Sequence, residues 1–82
     1  MSKSAEIQEQ LNMFGGNLRR ARMSRKITLE KLAERADLNI RTLQKFEAGE
    51  SNILITTLFR LQRGIGCPWE ELLSSSPSAD DR

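Results

Sequence analysis

The sequence contains no histidine, no tyrosine, no valine and only one cysteine, Cys67. Without histidine the chain lacks the usual general base, the commonest metal ligand and every histidine-based triad. No enzyme is therefore expected, and no cofactor or metal is called for. A single thiol can form neither an internal disulfide nor a cysteine zinc site, and it fits a reducing compartment. Strand formers are scarce, with one Trp and three Phe, and no segment alternates with period two for long enough to mark a strand. The expected class is all-α. Long apolar runs are missing too: the uncharged stretch from Ser51 to Phe59 has nine residues, against about 20 for a membrane span. The opening MSKSAEIQEQ has no apolar leader region. A cytoplasmic protein with no membrane partner is expected.

The 82 residues that are present suit one small domain. Such a chain buries about 60–65% of its unfolded surface, so dimerisation would help it. The formal charge of +2 hides an asymmetry. Residues 14–63 carry eleven Lys or Arg against five Asp or Glu, whereas residues 1–13 sum to −1 and residues 64–82 to −3. A basic centre between acidic ends suits an anionic partner, with nucleic acid the first candidate. A solvated mixed-charge surface is the plainer alternative.

Residues 1–13 read as a helical extension with Ile7 and Leu11 as a small stripe, and residues 74–82 as a disordered tail. Five short helices are expected between them. The first, Phe14 to Arg25, places Phe14, Leu18 and Ala21 on one face and Arg19 and Met23 on the other. Thr28 is suited to cap the second, Leu29 to Ala36, which buries Leu32, Ala33 and Ala36. Only Asp37 and Leu38 precede Asn39, a second cap, so the next helix must cross at a large angle. That third helix, Ile40 to about Ala48, stops at Gly49. It groups Leu43, Phe46 and Glu47 on one side and Arg41, Gln44, Lys45 and Ala48 on the other. The fourth, about Leu54 to Arg63, uses Leu54, Leu58 and Leu61. The fifth starts at Pro68 and carries Trp69, Leu72 and Leu73.

A short helix, a tight turn, a cap and a second short helix form a helix-turn-helix. The series Phe14-Gly15, Leu18, Arg22, Ile27-Thr28, Leu32-Ala33, Ala36, Leu38, Leu43, Glu47, Gly49 and Thr57-Leu58 resembles the lambda-repressor-like family, of the Cro/cI or XRE type. The run Asn52-Ile53 into a Leu/Ile-rich helix, followed by Pro68, looks like the small controller proteins of restriction–modification systems. This resemblance implies a compact five-helix DNA-binding domain over residues 14–73, whose third helix enters the major groove. Bases would be read by Ile40, Arg41, Thr42, Gln44 and Lys45. Arg41, with its planar fork, is favoured as the most discriminating. Phosphate contacts would fall to Arg19, Arg22, Thr28, Asn39, Ser51 and Asn52. The sequence departs from the family pattern at Leu29, where Gln is frequent, and at Lys26 and Asp37, where Gly is frequent. Glu50 would repel phosphate.

Arg22 and Glu47 both stand beside apolar stripes, and unpaired buried ions are strongly disfavoured. They are expected to pair, with part of Arg22 also reaching phosphate; separate snorkelling to water is the alternative. Ile55 and Phe59 lie off the fourth helix's stripe, and the fifth adds Trp69, Leu72 and Leu73. These five are expected to form a two-fold dimer interface, unless Trp69 only closes the monomer core. The expected function is a homodimeric, sequence-specific transcriptional regulator on a palindromic operator. It would be autoregulatory, of the controller or phage-repressor type, with no inducer domain. The alternatives are an antitoxin that also binds a toxin protein, and a protein-interaction adaptor that has lost DNA affinity.

Overall fold

A computed structural model describes residues 3–75. The described residues form five helices and no strand: α1 (Lys3–Ser24), α2 (Leu29–Ala36), α3 (Ile40–Glu47), α4 (Ile55–Ile65) and α5 (Trp69–Leu73). Each helix sends one leucine to the centre. Leu18, Leu32, Leu43, Leu61 and Leu72 are all fully buried at 0% exposure, each contributing about 1.5–3 kcal/mol by removal from water. Phe14, Ala21, Ile27, Ala33, Ala36, Phe46, Ile65 and Cys67 complete the core.

The expected boundary at residue 13 falls inside α1. The extension and the first core helix are one 22-residue helix, uninterrupted by the Gly15–Gly16 pair. Gly15 has a packing role that explains its place. A Cβ there would lie 2.5 Å from the Phe46 carbonyl oxygen and 2.6 Å from that of Glu47, so α1 and α3 approach this closely only where one side chain is absent. The tail expected over 74–82 lies outside the described residues from 76 onward.

Three helices end in the same kind of turn, in which a left-handed residue returns two N–H groups to the last carbonyls. After α1 that residue is Lys26 (φ 58), after α2 it is Asp37 (φ 57), and after α3 it is Gly49 (φ 75). Ile27 N–H donates to the Arg22 carbonyl at 3.1 Å, Leu38 N–H to that of Ala33 at 2.8 Å, and Glu50 N–H to that of Lys45 at 2.9 Å. Lys26 and Asp37 thus adopt a conformation that costs a residue with a Cβ about 1–2 kcal/mol. The pattern of the turns, not glycine, fixes the path. Arg60 on α4 supports the second turn, donating through Nε to the Ala36 carbonyl at 2.8 Å and through Nη2 to that of Asp37 at 3.3 Å.

The stripe expected on the fourth helix needs correction. Leu54 is 73% exposed at the position before the first turn of α4, and Thr57 is buried in its stead, beside Leu61 and Ile65. A helix that starts at Ile55 turns Leu54 off its inner face.

α5 is short and is held by polar contacts to α1. Buried Asn17 donates through Nδ2 to the carbonyls of Leu72 and Ser74, both at 2.8 Å, and accepts from Arg20 Nη2 at 2.6 Å. Arg25 meets Glu71 in a two-pronged pair, Nη1 to Oε2 at 2.7 Å and Nη2 to Oε1 at 2.9 Å.

The hydrogen bond from Arg25 holds the Glu71 carboxyl below the ordinary glutamate value, so the folded chain binds that proton less readily than the unfolded one. Its contribution to stability is present above about pH 4.3 and is lost as the pH falls through the depressed folded value. Glu71→Gln should therefore flatten the loss of stability with acid in that range. Thermal melting followed between pH 6 and pH 3 checks this; parallel acid limbs for variant and wild type would contradict it.

Candidate nucleic-acid interface

Two helix starts and one helix face make the site. Thr28 caps α2, its Oγ1 accepting from Lys31 N–H at 3.0 Å, and Asn39 caps α3, its Oδ1 accepting from Arg41 N–H at 2.8 Å. Both caps use the side chain as acceptor. The Thr28 hydroxyl hydrogen and the Asn39 amide hydrogens keep no partner among the described residues, and both side chains are exposed. Donors that stand at the positive end of a helix dipole are suited to phosphate.

The face of α3 follows its wheel. Leu43 and Phe46 are buried, Ile40 and Thr42 are half-buried, and Arg41, Gln44, Lys45 and Ala48 are exposed. The side chains of Arg41, Gln44 and Lys45 make no hydrogen bond or ion pair among the described residues. No acidic residue lies between Ile40 and Phe46. Arg19 lines a shallow groove with Gln44, Glu47 and Ala48, so α1 adds a further exposed cation beside this face. Ser51 is half-buried and Asn52 exposed in the segment that leaves α3, next to exposed Glu50.

α3 is fixed to α1 by a buried ion pair. Arg22 Nε lies 2.7 Å from Glu47 Oε2, and Nη2 lies 3.1 Å from Oε1; the two side chains are 10% and 8% exposed. Arg22 Nη1 also donates to the Ile27 carbonyl at 2.9 Å. All three guanidinium nitrogens are thus engaged inside the protein. Arg22 acts as an anchor, and these three bonds leave two of its five guanidinium N–H donors over.

The apolar residues expected at an interface divide. Ile55, Phe59 and Leu73 are exposed at 61%, 47% and 49%. Trp69 is half-buried and sets its ring edge-to-face against Phe59, with centroids 5.4 Å apart. Leu72 must be removed from the set: at 0% exposure it belongs to the core, because α5 is held down by Asn17 and Arg25. Arg60 has no place in the sequence pattern, and Gly15 enters it only as part of the family series, without its packing role. A glycine pair signals a close approach only once the opposing helix is known, and Arg60 carries no local pattern at all.

The Helix-turn-helix family matches residues 18–72, which spans α2, the turn and α3 with the helices around them. The chain belongs to that family, of the XRE type. Its members are DNA-binding transcriptional regulators, and this chain is one of them. Among solved structures it is similar to the crystal structure of the restriction-modification controller protein C.AhdI from Aeromonas hydrophila. The TM-score is 0.72 and the identity 26%, over 76% of this chain and 94% of that one. No curated protein matches the sequence. No helix among the described residues is long and apolar enough to cross a membrane.

Glu47→Ala leaves the Arg22 charge buried without its partner and should cost roughly 2–4 kcal/mol. Chemical denaturation measures this directly; an unchanged midpoint would remove the pair from its structural role.

Proposed function

We propose that the protein is a sequence-specific regulator that binds a palindromic operator as a homodimer and controls its own expression in the manner of a restriction–modification controller. The observation that carries this reading is the α3 face: two cations and an amide with no partner among the described residues, together with the exposed caps Thr28 and Asn39 at two helix starts, whose donors are likewise unpartnered. The likeness to a controller protein supports the genetic role. A cytoplasmic location follows from that role. Arg41 is assigned to base reading, because its guanidinium can donate to both acceptors of guanine in the major groove. Lys45, Gln44, Thr42 and Ile40 fill the rest of the face. Arg19, Thr28, Asn39, Ser51 and Asn52 are assigned to phosphate, as is Arg22 through the N–H donors that its internal bonds leave over.

Two copies are needed because one eight-residue helix reads only a few base pairs. Ile55, Phe59, Trp69 and Leu73 offer the contact surface. Exposed Phe59 and Leu73 in so small a domain, beside a Trp ring, have the character of an interface anchor.

Arg41→Ala should weaken the preferred site by about 1–3 kcal/mol and relax preference at one base position. Arg19→Ala should weaken all duplexes alike and lessen the salt slope by about one. Equal losses on specific and random DNA for Arg41→Ala would make it a phosphate contact instead.

Sedimentation of the full chain at tens of micromolar should show a dimer, with half-sites about 10 base pairs apart, centre to centre. A monomer that binds one per site without cooperativity would reject the two-fold arrangement.

A further inference from the structure

Gln8 and Asn12 lie on the N-terminal half of α1, before its core stripe begins at Phe14, and both residues are exposed. Their polar groups are nevertheless engaged with a distant turn. Gln8 Nε2 donates to Asn12 Oδ1 at 2.9 Å and to the Gly49 carbonyl, also at 2.9 Å, forty-one residues along the chain. Gly49 is buried, has φ 75, and forms the left-handed end of α3. A Cβ on it would collide with Asn12 Oδ1 and come within 3.2 Å of the Asn12 backbone. The turn that closes the recognition helix is therefore pressed against α1 by shape and tied to it by one amide.

Added stability is the simplest use of such a bond, since it satisfies a helix-end carbonyl. Its position points further. The Gly49 carbonyl belongs to the planar unit that leads into Glu50, so holding it sets the direction in which the chain leaves α3. Ser51 and Asn52 follow at once. The extension contributes little to the core by itself: Ile7 is 46% exposed and Leu11 only half-buried. What it does reach is Gly49, two residues before Ser51, the first of the pair assigned to the DNA backbone.

We propose that Gln8, supported by Asn12, is a positioning residue for phosphate contact. The N-terminal half of α1 holds the α3–α4 turn in the shape from which Ser51 and Asn52 meet the DNA backbone. This inference rests on the DNA-binding reading above. A turn already ordered in the free protein spares the ordering cost that a loose one incurs on binding.

The test uses the full chain, a duplex carrying its selected site, and a random duplex of equal length. Gln8→Leu keeps the bulk and removes the donor; Gln8→Ala removes both. Each should weaken both duplexes by about five-fold, the scale of one net hydrogen bond. Base preference should stay as in wild type, and so should the salt slope, because Ser51 and Asn52 carry no charge and their loss changes no counterion release. The melting temperature should fall by a few degrees only, too little to unfold the chain at the binding temperature. The amide signals of Glu50, Ser51 and Asn52 should shift in the free variants. Wild-type affinity in both variants would overturn the positioning role, as would a weakening that appears only under conditions in which the variants are partly unfolded. If wild-type protein binds DNA and Arg41→Ala relaxes its preference, such a result overturns this role alone. If wild-type protein binds no duplex, the DNA-binding reading and this inference fail together.

Discussion

Arg22 can be buried in this fold only because Glu47 is there to meet it, and Glu47 stands on the last turn of α3. The two-pronged contact at 2.7 and 3.1 Å therefore does more than satisfy two charges. It sets the rotation of α3 about its own axis relative to α1. The Glu47 side faces inward, with Leu43 and Phe46, and the opposite side is left with Arg41, Gln44 and Lys45 facing outward. Gly15, two turns before Arg22 on α1, lets the backbones approach at that same last turn of α3, against the Phe46 and Glu47 carbonyls. An apolar pair of similar volume could fill the space, but it would not select one rotation. Geometry, more than net energy, is what a buried pair of this kind supplies.

The rest of the site depends on how the chain enters and leaves that helix. Entry is set by Asp37 in a left-handed conformation, by Arg60 on the carbonyls behind it, and by the Asn39 cap. Exit is set by Gly49 and the side chain of Gln8. Each end of α3 is thus held by a left-handed turn and by a side chain from another helix. Basic residues occur elsewhere as well. Arg35, Arg60 and Arg63 gather at the C-terminal ends of α2 and α4, but Arg35 and Arg60 turn guanidinium groups onto main-chain carbonyls. Arg35 and Arg60 thus serve the helix ends, where the dipole favours them, and Arg63 alone of these three cations keeps an exposed side chain without such a contact among the described residues. Those on α3 and Arg19 have no such partner.

Much of this was legible in the sequence. Helices with an unambiguous apolar stripe and a polar cap, α2 and α3, read correctly because local propensity and burial agree there. The pairing of Arg22 with Glu47 followed from two charges in apolar registers. What escaped depended on partners distant in sequence. The Gly15–Gly16 pair masks the continuity of α1, since glycine is unfavourable in a helix until a neighbour requires its bareness. Leu54 was misread because a leucine-rich run fits more than one register, and the true start of α4 turns it outward. Leu72 looked like surplus apolar surface on a short helix. It is core because Asn17, a buried polar residue with no periodic signal, pins α5 against α1. The long bond from Gln8 to Gly49 has no sequence signature.

The central claim is that the α3 face and the helix starts beside it form the surface that meets DNA. Titrating isotopically labelled protein with a short palindromic duplex, and following backbone and arginine side-chain signals, tests that claim most directly. The perturbations should concentrate on Thr28, Asn39 to Lys45, Glu50 to Asn52 and the Arg19 and Arg41 guanidinium groups. Arg35, Arg60 and Arg63 should stay close to their free positions. Perturbations centred on those three arginines, with α3 unmoved, would place the DNA on the wrong basic surface and contradict the account.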